Sequence, residues 1–229
     1  MFDRKISRII TPGTLIDEKF LDAYENSYVL ALSISPEGVG DDKDPSAVLA
    51  QPVGLAWLDL STGDFFTQES SVVALNGDIS RIGPREIILN ENLRESSGNI
   101  IVKRLEDDKL FITYYPEAPR SKRPIDTWKE MLESPMPRKA KSEFTKLEVE
   151  AGTHLLHFIK SQLPGLSIKL LPPIKRFATD IMVIDSNSMR GLEIKQTLRD
   201  GVSKGSLLHT IKCTVTKSGT RLLSSWLSK

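Results

Sequence analysis

The stretch VGLAWLDLSTGDFFTQ, residues 53–68, decides the fold. Its first eight residues are almost continuously apolar, which is typical of a strand covered on both faces. The turn residues Ser61 to Asp64 follow, and Phe65 to Gln68 form a second extended run. Two extended runs joined by a short glycine-containing turn predict an antiparallel hairpin.

Further elements on either side of the hairpin extend it into a layer. The run YVLALSI at 28–34 precedes it, and shorter runs follow at 86–89 and 110–114. Between them a short helix is predicted, capped by Ser70 or Ser71 and stopped by Gly83-Pro84. Three strands, a helix and further strands predict an α/β mixed sheet with flanking helices. This order resembles the ribonuclease H-like arrangement.

Two connecting segments are also predicted, one before the first strand and one between the first two strands. Thr11-Pro12-Gly13-Thr14 predicts a type II turn, because proline fixes φ at its first central position and glycine accepts positive φ at the second. Ser35 to Gln51 is rich in proline, glycine and acids, and predicts a surface loop.

The second half of the chain is predicted to be mostly α-helical. Thr145 and Glu148 form a capping box, and apolar residues recur at helical spacing from there to Leu163. A brief extended run is expected at 181–184. Three further helices are expected: one capped by Asp185 or Ser186, a short one that begins near Leu207, and one capped by Thr216. The stretch 116–137 holds five of the thirteen prolines and is the expected joint. We therefore place one domain at 1–138 and a second at 139–229.

Composition excludes several classes of protein. The chain is 39% hydrophobic and 27% charged, and no apolar run approaches the ~20 residues that a membrane span needs. The single Cys213 cannot form an internal disulfide or a cysteine zinc site. The net charge is +1, but residues 1–143 hold 18 basic and 24 acidic residues, whereas 144–229 hold 13 and 6. The two halves therefore differ electrostatically.

Candidate sites for chemistry are sparse. The P-loop string G-x-x-x-x-G-K-[ST] is absent, and Gly201 to Ser206 has its residue types in the wrong order, so a loop with a helix cap is expected there. A two-metal nuclease requires converging carboxylates, but the run 28–34 has no acid. Asp59 and Asp64 flank the hairpin turn, where acids usually bond to nearby amides.

The histidines and the cysteine fit structural roles better than catalytic ones. His154 and His157 lie three residues apart on the predicted helix, with Glu150 one turn earlier, but no further ligand completes a metal site. Cys213 has no base near it in sequence, and we expect a buried small hydrophobe. No catalytic, cofactor-binding or metal-binding residue is assigned in this chain.

Several strings in order resemble one family. The strings RIITPGTL (8–15), GLAWLDLSTGDF (54–65) and RIGPREII (81–88) are similar to successive signatures of the connector domain of MutS mismatch-repair proteins. The second half is similar to the opening of the MutS lever, or core, domain, with MVID, RGLEI, GSLL and CTVTKSGTRLLSSWL at 182–185, 190–194, 205–208 and 213–227. The style of residues 15–21 and 64–68 most resembles fungal mitochondrial members.

The resemblance implies a ribonuclease H-like connector followed by a partial helical lever. A complete MutS is a dimeric clamp that reads a mismatch through a Phe-x-Glu motif and hydrolyses ATP with Mg²⁺. Neither the Phe-x-Glu tripeptide nor the P-loop string occurs here. The expectation is therefore a non-catalytic middle segment of a longer protein, with no cofactor of its own.

In the full-length protein, the resemblance implies coupling of mismatch recognition to ATP state. The implied partners are mismatched double-stranded DNA, a second MutS-type subunit and a MutL-type protein, with no membrane. The implied location is the mitochondrion, with the nucleus as alternative. Two other functions stay open: a ribonuclease H-like nuclease or resolvase, and a stand-alone DNA-binding module that uses the basic second half.

Overall fold

A computed structural model describes residues 9–15, 26–34, 49–94, 100–107, 110–119, 121, 123–136, 143–164, 167–177 and 186–227. Within these residues, no helix is long and apolar enough to cross a lipid bilayer. The extended run expected at 181–184, and most of the loop expected at 35–51, lie outside the described residues.

Three antiparallel strands form the centre of the structure. Strand β1 is Tyr28–Ile34, β2 is Pro52–Asp59 and β3 is Phe65–Ser71, and β2 pairs with both neighbours. The turn between β2 and β3 is closed by Gly63, whose φ of 79° suits a residue without a side chain. The hairpin predicted from residues 53–68 is therefore confirmed.

Three more strands are added to the antiparallel strands, and each is parallel to the strand it pairs with. Strand β4 is Glu86–Asn90 and pairs with β1, and β5 is Ile112–Tyr115 and pairs with β4. Strand β6, Ile174–Arg176, pairs with β3 at the opposite edge, and the sequence did not predict it. The order β5-β4-β1-β2-β3-β6 confirms a mixed sheet of an α/β protein.

Helices α1 (Leu75–Ile82) and α2 (Ile100–Asp107) belong to the apolar core on one face of the sheet. That core includes Leu30, Leu55 and Ile87, and none of the three is exposed to solvent. Helix α1 begins later than predicted, because Ser70 and Ser71 belong to β3. Its N-cap is Ala74, which makes no side-chain cap bond, while Gly83 ends it in the left-handed conformation as expected.

The other face is covered by α3 (Pro124–Thr127) and α4 (Lys146–Gln162). The predicted capping box of Thr145 and Glu148 is present. Gly54 of β2 lies so close to α4 that a Cβ there would be 2.2 Å from the carbonyl carbon of Leu147. Both faces of the sheet are thus buried, which explains the continuous apolar runs.

Residues 124–136 of the proline-rich stretch pack into the core instead of forming a loose joint. The indole of Trp128 is fully buried, and its Nε1 donates to Thr153 Oγ1 of α4 at 2.9 Å. A backbone bridge also joins Leu132 to Leu170. The boundary at 138–139 stays a prediction, but α4 and β6, which lie beyond it, share their core or their hydrogen bonds with the sheet.

Three further helices follow in the described part of the chain: α5 (Ser186–Gly191), α6 (Leu207–Ile211) and α7 (Lys217–Trp226). The hydroxyls of Ser206 and Thr216 cap α6 and α7, the second as predicted. Helix α7 buries its polar side, including Arg221, whereas Leu222 and Trp226 of the predicted apolar stripe are 51% and 61% exposed.

We expect Gly54→Ala to lower the free energy of unfolding by about 3 kcal/mol, because the added methyl group meets helix backbone that cannot rotate away. Gly77→Ala in α1 is the matched control, because a Cβ there has nothing within 4 Å, and it should add about 0.5 kcal/mol. Urea unfolding measures both. Equal changes in the two variants would contradict this packing.

Candidate coupling site

A buried carboxylate stands at the start of β4. Glu86 is 0% exposed, and it accepts hydrogen bonds from three donors. The backbone amide of Gly13 donates at 2.9 Å, the hydroxyl of Thr113 donates at 2.6 Å, and the hydroxyl of Thr11 also donates. Since a buried carboxyl group is costly unless its oxygens are bonded, these donors must stay in place.

The residues 11–14 that supply two of these donors form a closed turn. The Thr14 amide donates to the Thr11 carbonyl at 3.1 Å, and the Thr11 amide donates to Thr14 Oγ1 at 2.7 Å. The predicted type II geometry is wrong, because Gly13 does not have a positive φ. Glycine is required there by space: a Cβ would lie 2.4 Å from Val29 Cγ2 and 3.0 Å from Glu86 Oε2.

The same turn is connected to α4. The amide of Ile9 donates to the carbonyl of Gln162, the last residue of α4, at 2.7 Å. The N-terminal segment is therefore fixed to the sheet and to the helix that covers this face.

Tyr28 makes a second attachment at the start of β1. Its hydroxyl accepts from Asn26 Nδ2 at 2.9 Å, and the side chain of Ser225 in α7 lies beside it and opposes the rise in its pKa. Burial raises the pKa of this hydroxyl to about 12, and the charges of Asp59 and Asp64 act in the same direction. The hydroxyl is therefore protonated near neutral pH and able to donate.

These two contacts involve Tyr28 and Val29, which are neighbouring residues of β1. Val29 is opposite Glu86 in the parallel register, and the Tyr28 carbonyl accepts from the Arg85 amide at 2.9 Å. Alternation along β1 places Tyr28 and Val29 on opposite faces of the sheet. We call Gly13, Tyr28, Val29, Glu86 and Ser225 the β1 junction. It links the N-terminal turn to the last helix through one central strand.

The acids considered for a nuclease are used locally. Asp59 Oδ1 accepts from the amide and hydroxyl of Ser61 at 2.8 and 2.6 Å, and Oδ2 accepts from the Ser27 amide at 3.1 Å. Asp64 accepts from the Thr62 hydroxyl at 2.7 Å. Within the described ranges, no three histidine, cysteine or acidic residues are grouped to hold a metal ion. This geometry favours the structural role that the sequence suggested for the turn acids.

The remaining candidates also have structural surroundings. His154 and His157 flank the ring of Tyr115 at 6.1 and 5.5 Å between centroids, and burial lowers the pKa of each imidazole. Glu150 accepts from the Ser33 hydroxyl at 3.0 Å. The expectation for Cys213 is wrong: its side chain is exposed, because the segment before α7 lies at the surface.

Two family models match this chain in series. Residues 46–135 match MutS domain II, and residues 187–229 match MutS domain III, so together they cover more than half of the chain. The chain belongs to the MutS family. The domain II match includes β2 to β5 with their helices, and the domain III match includes α6 and α7. Helix α4 and strand β6 lie between the two.

Relatives match almost the whole length of this chain. Proteins named DNA mismatch repair protein MutS from Anaplasma phagocytophilum and Microcystis aeruginosa are each 30% identical, over 98% and 99% of this chain. The protein of that name from Wolbachia pipientis is 31% identical over 98% of it. The chain spans about a quarter of the length of these relatives.

The matched domains account for the missing enzyme motifs. The matched residues belong to MutS domains II and III, and the P-loop string of an ATPase does not occur among the 229 residues. Assignment to the fungal mitochondrial branch stays a prediction.

Sequence reasoning missed the β1 junction, although two signals were present. Glu86 is an acid followed by three apolar residues in a short strand, and Tyr28 is the only aromatic residue of its strand. A pattern within one strand indicates burial but does not name the distant donors that make a buried acid tolerable.

Replacing Glu86 with alanine should lower the free energy of unfolding by about 3 kcal/mol, because it leaves the Gly13 amide and two hydroxyls without an acceptor. The exposed Glu69→Ala of β3 is the control and should change it by less than about 0.5 kcal/mol. Chemical denaturation followed by circular dichroism compares them. Losses of the same size would show that the carboxylate does not hold the turn.

Proposed function

We propose that this chain is the connector and the beginning of the lever of a MutS-type mismatch-repair protein, in which it transmits changes between the mismatch site and the ATP site. The observation that carries the proposal is the β1 junction. There the N-terminal turn is hydrogen-bonded to Glu86 of β4, which pairs with Val29 of β1, and the adjacent Tyr28 lies beside Ser225 of α7.

Mechanical coupling needs packed elements that move as units, because a slack connection absorbs a displacement instead of transmitting it. Strand β1 is the third of the six strands in the sheet, and its residues Val29 to Ala31 are fully buried. A shift of the N-terminal turn therefore acts on β1 through Glu86 and Val29. The same strand carries Tyr28, which contacts α7.

The strand order supports the ribonuclease H-like label for the connector. Three antiparallel strands are followed by two parallel ones in the order β3-β2-β1-β4-β5, and β6 is added at the edge. The nuclease alternative has no comparable support, because Asp59 is bonded to Ser27 and Ser61.

The partners of the full-length protein follow from the same proposal. They are mismatched double-stranded DNA, a second MutS-type subunit, and a MutL-type protein received by the connector surface. ATP and Mg²⁺ belong to the ATPase domain outside this chain. The similarity of residues 15–21 and 64–68 to fungal mitochondrial members supports a mitochondrial location, with the nucleus as alternative.

The test uses the full-length protein with Tyr28→Phe, which removes the hydroxyl that contacts Ser225 and keeps the ring. Loss of one hydrogen bond corresponds to about a two- to tenfold change. We expect the stimulation of ATP turnover by mismatched DNA to fall by that factor, with basal turnover and DNA affinity unchanged.

Tyr114→Phe on β5 is the matched control for that experiment. Its hydroxyl contacts exposed Glu106 and lies outside the β1 junction, so stimulation should stay at the normal level. The proposal fails if the two variants respond to mismatched DNA in the same way.

A further inference from the structure

A cleft lies between α1 on one side and α5 with the segment that follows it on the other. Its volume is about 440 Å³, within the range of small-molecule sites. Ser80, Arg81 and Gly83 form one wall, and Arg190 with residues 194–198 and 201 forms the other. The domain II match ends at residue 135 and the domain III match begins at 187, so the cleft is built from both.

The lining of this cleft carries positive charge only. Arg81, Arg190 and Lys195 contribute three cations, and among the lining residues that the structure describes there is no aspartate or glutamate. Ser80 adds a hydroxyl, while the Thr197 hydroxyl donates to the Val202 carbonyl at 3.3 Å. Cations that line a concave space raise the local positive potential, which favours the binding of anions.

Arg81 is held in position by groups behind the cleft. Its Nη2 donates to Gln68 Oε1 at 2.7 Å and lies 3.2 Å from Asp78 Oδ1, whose carboxylate also accepts from Ser70. These contacts use Nη2 alone, and a guanidinium has five N–H donors. The wall at α1 therefore offers a fixed cation with further donors.

The opposite wall is fixed by its own hydrogen bonds. The Thr197 amide donates to the Val202 carbonyl at 2.9 Å, and the Gly201 amide donates to the Thr197 carbonyl at 3.0 Å. The nearby carboxylate of Glu193 accepts from the Leu198 amide at 2.5 Å, so it is bound within its own turn. Gly201, with a φ of 62°, makes this tight turn possible.

We propose that this cleft binds a phosphate group, with Arg81 and Arg190 as its principal ligands. A phosphate group matches arginine side chains on the two walls, because arginine donates in pairs to phosphate oxygens. The phosphate is supplied by a small compound such as pyrophosphate or a nucleotide, or by the backbone of DNA.

A phosphate in this position bridges α1 and the segment after α5. Because it contacts both walls, it binds the docked arrangement of the two parts more tightly than a separated one, and so favours that arrangement. This site shares no residue with the β1 junction, so it is independent of the coupling proposed there.

The test is calorimetric titration of the 229-residue chain with pyrophosphate at constant ionic strength. Arg190→Gln removes a lining cation, and Arg199→Gln is the matched control, because it removes the same charge from the same segment at a residue that does not line the cleft. We expect saturable binding that Arg190→Gln weakens at least about tenfold and that Arg199→Gln leaves unchanged.

A second arm identifies the source of the phosphate. Binding of a short matched DNA duplex is measured against salt concentration for the same three proteins. If DNA supplies the phosphate, Arg190→Gln lowers the salt slope by about one and Arg199→Gln does not. If the slope is the same in all three proteins while pyrophosphate binding depends on Arg190, a small compound is the ligand.

Two results would overturn the proposal. One is the absence of saturable pyrophosphate binding together with duplex binding that does not depend on Arg190. The other is an equal effect of Arg190→Gln and Arg199→Gln on both ligands, which would indicate attraction by net charge alone. Circular dichroism of each variant verifies that the fold is retained.

Discussion

The buried carboxylate of Glu86 is the constraint on which the arrangement of the β1 junction depends. Its oxygens have no access to water, so the Gly13 amide and the hydroxyls of Thr11 and Thr113 must satisfy them. This requirement places the N-terminal turn against β4, and the contact is so close that only glycine fits beside Val29. Glu86 thus fixes the position of the turn at residues 11–14 against the sheet.

The turn at residues 11–14 and helix α7 therefore both lie against the pair of strands β1 and β4. In the function proposed above, such a segment would control which movements reach the ATP site of the full-length protein. Here the sheet is buried on both faces, and α4 and β6 reinforce it from the sequence between the two matched domains. The cleft between α1 and residues 190–201, where we propose that a phosphate binds, would let a ligand adjust the contact between these two parts.

Sequence patterns predicted those parts of the structure that depend on neighbouring residues. The apolar runs of β1 and β2 indicated burial on both faces, and the capping box of Thr145 and Glu148 is a contact between residues three apart. Long-range contacts were not predictable in this way. Strand β6 has only three residues, and the space required at Gly13 is set by Val29, which is distant in sequence. The exposed side of α7 reflects what surrounds that helix and not its own periodicity.

The most direct test of the account is a double-mutant cycle on the unfolding free energy of this chain, with Glu86→Gln and Tyr28→Phe made singly and together. If the N-terminal turn and the last helix are linked through β1, the effects of the two substitutions should differ from additivity by about 1 kcal/mol. Effects that add to within about 0.3 kcal/mol would show that the two attachments are independent, and would contradict the β1 junction as a coupling element.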